Sequence, residues 1–228
     1  VLTVFSGKSD ILQLLFKNGA DPNAPENMKN RPLLQAARHG SIECLKVLFE
    51  NGCKDVNYFD YSLLMMIIAS DELDYVPTVV ESGVDLEHMS KETYETALSL
   101  ACLQSYRKTV KYLCDRMKNV DIDPSIRKRA AVHWICQSKD PEIAKFILAK
   151  GIDVNRLDED GNPGPYYLMD LTDADTTIQI LELLCENGFD INIQGKSVDG
   201  KEANTVLGDF VASIHRPKKV IEWLLEHG

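Results

Sequence analysis

The stretch LFENGCKDVN, residues 48–57, decides the fold, because near-copies of it return along the chain. Upstream stands LFKNGADPN at 15–23, and downstream stand VVESGVDLE at 79–87, ILAKGIDVN at 147–155 and LLCENGFDIN at 183–192. Each is an apolar run, a glycine, then Asp-x-Asn or a close variant. The steps from Gly19 are 33 residues to Gly52, 31 to Gly83, 36 to Asn119, 32 to Gly151, 37 to Gly188 and 40 to Gly228. Asn119 joins the series because KNVDID at 118–123 aligns with the other stops, and Asn follows Gly in tolerating a left-handed helix end. A period of this length predicts a repeat architecture.

Each unit also has an upstream half. RPLLQAA at 31–37 precedes Gly40-Ser41, and a second apolar stretch, IECLKVLF at 42–49, follows. Residues 62–68, 96–102 and 130–136 fill the first slot in later units. Small residues there, Ala36-Ala37 and Ala101-Cys102, let neighbouring helices approach closely. In the second helix, Leu45, Leu48 and Phe49, then Leu181, Leu184 and Cys185, make an apolar stripe at helical spacing. One helix pair cannot bury both its faces, so the units must stack. The glycine ends the second helix in a left-handed conformation, and Asp-x-Asn opens a turn through bonds to local backbone.

In register, and across essentially the whole chain, this pattern resembles the ankyrin repeat family: TPLHxAA, a Gly-led second helix, then LLxxGADxN. No unit keeps TPLH intact. The resemblance implies an all-α solenoid of helix-turn-helix units with β-turn or hairpin tips. It divides the chain into a partial unit at 1–24 and six repeats at 25–57, 58–87, 88–123, 124–155, 156–192 and 193–228, together one domain. The last unit stops at Glu226-His227-Gly228, where the family continues with Ala-Asp-x-Asn, so the reading expects a longer natural protein.

The totals exclude several functions. A net charge of -10 argues against a nucleic-acid binder, which needs a surplus of Lys and Arg on one face. The longest apolar run, LLMMIIA at 63–69, falls well short of the roughly 18 residues of a membrane span, and the N-terminus lacks signal-peptide features. Six cysteines without tight CxxC spacing fit a reduced, intracellular chain, cytoplasmic or nuclear, or delivered into a host cytosol if the protein is a secreted effector.

Two Gly-Lys-Ser triplets, at Gly7 and Gly195, lack the glycine five residues earlier that a phosphate loop needs, since Leu2 and Asp190 stand there. His133 and Cys136 lie one helical turn apart, as half a metal site would. The resemblance instead places His133 at the TPLH histidine that braces the hairpin. It places Cys102 and Cys136 in a small Ala slot, Cys114 and Cys185 at the Phe49 position, and Cys53 at the Ala20 position. No catalytic motif is present, and no cofactor, metal or small-molecule substrate is implied.

What remains is surface. In this family the turn tips and the ends of the first helices line a concave face that grips partners, so the resemblance implies binding of a protein or peptide. One tip carries Tyr58, Phe59 and Tyr61, and its neighbour carries Glu92, Tyr94 and Glu95. Such an aromatic patch bordered by carboxylates suits a hydrophobic or basic peptide, or a methylated lysine. The alternative is that Phe59 or Tyr61 folds back onto its own helices. Arg127, Lys128 and Arg129 occupy the next tip, either as a solvated run beside Glu92 and Glu95 or as a clamp for an acidic segment. At the first-helix ends stand Arg38, His39, Leu103, Gln104, Gln137 and Ser138, with Leu103 apolar at an exposed slot.

Two insertions, LDEDGNPGPYY at 157–167 and QGKSVDGKEANTV at 194–206, lengthen later tips and signal either a specific contact or a weakened stack. The reading is therefore a non-catalytic scaffold or adaptor. The alternative is the targeting or regulatory arm of a larger kinase, ubiquitin ligase or secreted effector. A purely structural spacer is a third reading. Asn57, Asn155 and Asn192 loosely match the turn asparagines that are hydroxylated in this family.

Overall fold

Helices form where apolar side chains recur every three or four residues, and most second helices end at the repeated glycine. The computed structural model describes residues 8–23, 32–38, 41–53, 60–121, 129–170, 173–195, 204–213, 215 and 217–228. The chain divides into two compact units, 1–100 and 101–228, which are taken in turn.

The first unit holds α1 (Ser9–Lys17), α2 (Pro32–Arg38), α3 (Ile42–Glu50), α4 (Leu63–Ala69), a 3₁₀ turn (Leu73–Tyr75) and α5 (Val76–Glu81); α6 (Ala97–Leu103) crosses the division. Pro32 opens α2, where a missing N–H costs nothing. Ser62 caps α4 by accepting the Met65 N–H. Helix α2 packs on α3 and α4 on α5, while α1 lies on α3 and α2 on α4, so like stacks on like. Leu33, Ala36, Leu45, Leu48, Leu64, Ile68 and Val79 are each at most 2% exposed. Burial of each large aliphatic chain contributes about 1.5–3 kcal/mol. Phe49 is only half-buried, and Cys44 and Val47 complete the stripe instead.

The second unit continues with α7 (Arg107–Arg116), α8 (Ala131–Ser138), α9 (Pro141–Leu148), a 3₁₀ turn (Gly164–Leu168), α10 (Ala174–Glu186), α11 (Val206–Ala212) and α12 (Lys218–His227). Second helices α7, α9, α10 and α12 pack in succession, and the 3₁₀ turn lies between α8 and α11 in the first-helix layer. Every residue of α8 from Ala131 to Cys136 is buried, as expected of a helix apolar all round. Asp140, Asp173 and Thr205 cap α9, α10 and α11 through their side chains. The first helix expected in 156–192 shrinks to a 3₁₀ turn because Pro163 and Pro165 withhold two backbone donors from it.

Gly19, Gly52, Gly83, Gly151 and Gly188 all have φ between +68° and +89°. At three of these stops the next amide bonds back to the helix: Ala20 to Leu15, Cys53 to Leu48 and Phe189 to Leu184. Asn119 departs from the expected left-handed stop. Helix α7 leaves instead through Met117 in extended conformation, because Met117 and Val120 turn into the core; the Asn119 side chain accepts the Asp121 N–H at 2.9 Å. A second left-handed series escaped the sequence reading. Asp71, Ser105 and Lys139, with φ +62°, +56° and +53°, make the turn between first and second helices.

Candidate functional site

In the first unit the tip at Asp60-Tyr61 is tied to the next tip, 88–96, which closes as a short hairpin. Met89 and Thr96 form an antiparallel bridge, and the Ser90 N–H donates to the Glu95 carbonyl at 2.9 Å. Ser90 Oγ and the Lys91 N–H both donate to the Asp60 carboxylate, and the Ser90 bond, then the Lys91 bond, holds that carboxyl below its ordinary pKa. His88 Nε2 lies 2.8 Å from the Asp60 carbonyl. Tyr61 is half-buried and donates its hydroxyl to Glu95 Oε2; burial, then that bond, pushes the phenol up to about 12. Tyr61 therefore folds onto the neighbouring tip.

Tyr94 sits at the end of this brace. Its φ is +59°, a left-handed value that a bulky residue rarely adopts, and its side chain is 37% exposed. Glu92 is exposed two residues away. Tyr58, Phe59 and His39 lie outside the described residues, as do Arg127 and Lys128. Arg38 contributes the last residue of α2, and its side chain is not among those described.

In the second unit Leu103 is 41% exposed at the end of α6, Gln104 beside it is exposed, and Gln137 on α8 is half-buried. Ser138 is not available at that surface. It is buried, its hydroxyl donates to the Ile135 carbonyl at 2.7 Å and its own carbonyl accepts from Ser105 Oγ at 3.0 Å.

The insertion at 157–167 is knit together by Asp158. Its Oδ1 accepts the Asn162 N–H at 2.8 Å and its Oδ2 accepts the Tyr167 hydroxyl at 2.6 Å. Arg129, exposed, places its guanidinium carbon 4.8 Å from the Tyr167 ring centre. The base of the other insertion pairs Gln194 with Thr205, and a side chain at Gly195 would meet the Gly161 carbonyl oxygen at 2.8 Å. The two long tips thus touch backbone to backbone at their glycines.

His133 has both ring nitrogens occupied. Nδ1 accepts the Ala130 N–H at 2.9 Å, and Nε2 donates to the Asn162 carbonyl at 3.2 Å. That leaves no lone pair for a metal. Burial keeps its pKa below the ordinary histidine value. All six cysteines are free thiols. Burial raises Cys102, Cys136 and Cys185 and pushes Cys114 up to about 11, so these sulfurs stay protonated and poor nucleophiles.

The family model for ankyrin repeats in three copies matches residues 1–90 and again 64–158. The chain belongs to the ankyrin repeat family. This ankyrin repeat chain is 27% identical over 161 residues to the Caenorhabditis elegans "Ankyrin repeat and KH domain-containing protein mask-1", an alignment covering 70% of the chain and 6% of that protein. It is 24% identical over 236 residues to the Arabidopsis thaliana "E3 ubiquitin-protein ligase KEG", covering 97% of the chain and 14% of that protein. It therefore spans a small part of the length of either curated relative. The human ASB11 ankyrin repeat domain shares the fold at a TM-score of 0.71 and 17% identity, over 99% of this chain and 96% of that one. Ankyrin repeats are generally protein-interaction domains, and the fold is typically non-catalytic. Among the described residues no helix is long and apolar enough to cross a membrane.

Proposed function

We propose that this ankyrin repeat chain is a non-catalytic, intracellular scaffold that holds a partner protein or peptide against its repeat tips and first-helix ends. The observation that carries this reading is Tyr94. A left-handed backbone costs a non-glycine residue about 1–2 kcal/mol, yet a tyrosine occupies the position with 37% of its surface exposed. Strain of this kind persists where the surroundings enforce it, and it clusters at functional sites. Here the Tyr61–Glu95 and Ser90–Asp60 bonds enforce it. The hairpin is thus pre-organised, which lowers the ordering cost of binding. Glu92, exposed two residues away, favours a partner side chain that is apolar or cationic. Tyr58 and Phe59 would extend the patch, with Arg38 and His39 as further contacts of the first unit; Leu103, Gln104 and Gln137 are separate candidate contacts of the second unit. Nothing in this surface calls for nucleic acid, a membrane or a small molecule, and the charge of -10 opposes the first.

A second reading is favoured by the lengths of the relatives. The chain spans only 6% of the mask-1 protein and 14% of the protein named an E3 ubiquitin-protein ligase. The array would then serve as the targeting arm of a larger protein whose chemistry lies elsewhere.

The test is affinity capture from the source cell with wild type beside a Tyr94→Ser variant of equal helical content by circular dichroism. A partner retained by wild type and lost by the variant supports the reading. A partner set that is the same for both removes the hairpin from the interface.

A further inference from the structure

Arg129 is the last residue of Arg127-Lys128-Arg129, the chain's one run of three consecutive basic residues, in a sequence of net charge -10. Its exposed guanidinium stacks over Tyr167, 4.8 Å from the ring centre. Tyr167 is held from beneath, because its hydroxyl donates to Asp158 Oδ2 at 2.6 Å. Edge-on to it at 5.5 Å stands Tyr166, whose ring is 38% exposed.

Asp158 and Asp121 are engaged by other partners. Asp158 directs Oδ1 to the Asn162 N–H and Oδ2 to Tyr167 and the Asn162 side-chain amide. Asp121 is engaged by Arg156 at 3.4 Å, with the two side chains 15% and 12% exposed. Among the described residues Arg129 takes part in no ion pair. Arg129 also bonds the Tyr167 side chain, and a guanidinium has five N–H donors, so others remain for a carboxylate. The stack also removes much of the rotamer freedom a free arginine would lose on binding.

We propose that this tip receives an acidic segment of a partner protein: Arg129 donates its N–H edge to a Glu or Asp carboxylate, and Tyr166 covers a neighbouring apolar side chain. Asp160, exposed in the same loop, repels a continuous acidic run. The segment therefore carries carboxylates spaced by apolar residues. The inference rests on the reading that repeat tips bind a protein, but it concerns a different tip from Tyr94 and the opposite charge. It also gives the insertion a role: the loop builds the aromatic platform under Arg129.

The experiment is fluorescence anisotropy with a fluorescein-labelled peptide of alternating Glu and Leu, beside an alternating Lys and Leu peptide, titrated with the full chain. Saturable binding of the Glu peptide only is expected, weakened about tenfold by Arg129→Ala, on the scale of an interface arginine. Arg129→Lys, which keeps the charge without the planar fork, should also weaken it. Tyr166→Ser tests the apolar contact. Equal binding of both peptides, no binding of the Glu peptide, or unchanged affinity in Arg129→Ala would overturn the proposal. If Tyr94→Ser abolishes Glu-peptide binding while Arg129→Ala leaves it intact, the acidic segment belongs to the other tip, and the scaffold reading survives without this inference.

Discussion

Asn155 reaches across a repeat boundary to Gly188: its Nδ2 donates to the Gly188 carbonyl at 2.9 Å, and its Oδ1 accepts the Asp190 N–H at 2.7 Å. In the first unit Asn23 makes the same reach to the Gly52 carbonyl at 2.9 Å. The aspartate two residues earlier serves its own turn, since Asp21 accepts the Asn23 N–H at 2.8 Å and Asp153 the Asn155 N–H at 3.0 Å. The repeated Asp-x-Asn therefore has two jobs. One side chain closes a turn, and the other joins that turn to the stop of the next repeat. Asn155→Ala should lower stability by about 1–2 kcal/mol, two hydrogen bonds' worth, read as a lower urea midpoint at unchanged slope.

Lys139 and Tyr94 occupy the same backbone region for different reasons. Lys139, at φ +53°, joins α8 to α9 in a slot the family fills with glycine. Lys139→Gly should raise stability by about 1 kcal/mol and leave partner capture unchanged. Tyr94→Gly should relieve similar strain but reduce capture. Thermal melts and a capture assay on both variants check the contrast; equal capture by Tyr94→Gly would mean the strain serves no interface.

His133 makes stability depend on pH. Burial lowers its pKa in the folded state, so between that value and the ordinary 6.5 the unfolded chain binds a proton that the folded chain refuses. Stability should be full above about 6.5 and fall as pH drops below it, before the carboxylates titrate. The groups facing it are Asp158, Arg156 and Tyr167. Urea midpoints of wild type and His133→Gln at successive pH values give the comparison. The variant should be less stable throughout and should lack the decline that begins near 6.5.

Gly164 is needed for space. A methyl group there would meet Val132 Cγ2 at 2.8 Å and the Val132 carbonyl oxygen at 3.2 Å, between the 3₁₀ turn and α8. Gly164→Ala should cost about 1–3 kcal/mol by overpacking. A thermal melt equal to wild type would show that the turn can move aside.

The sequence alone determined the architecture, because a helix stop followed by a turn is local chemistry. A left-handed glycine and an aspartate bonding two residues on need no tertiary contact to be legible at Gly52, Gly151 or Gly188. The leucines of the second helices follow from periodicity alone. The tertiary structure decided everything that depends on which repeat lies beside which. It bent Tyr61 onto Glu95, aimed Asn155 at Gly188 and buried Ser138. It let α7 end without a left-handed residue, because Met117 and Val120 found core to enter. It also laid Arg129 on a tyrosine 38 residues away in sequence. These choices rest on through-space hydrogen bonds and desolvation between segments about one repeat apart, and no local pattern in the letters records them.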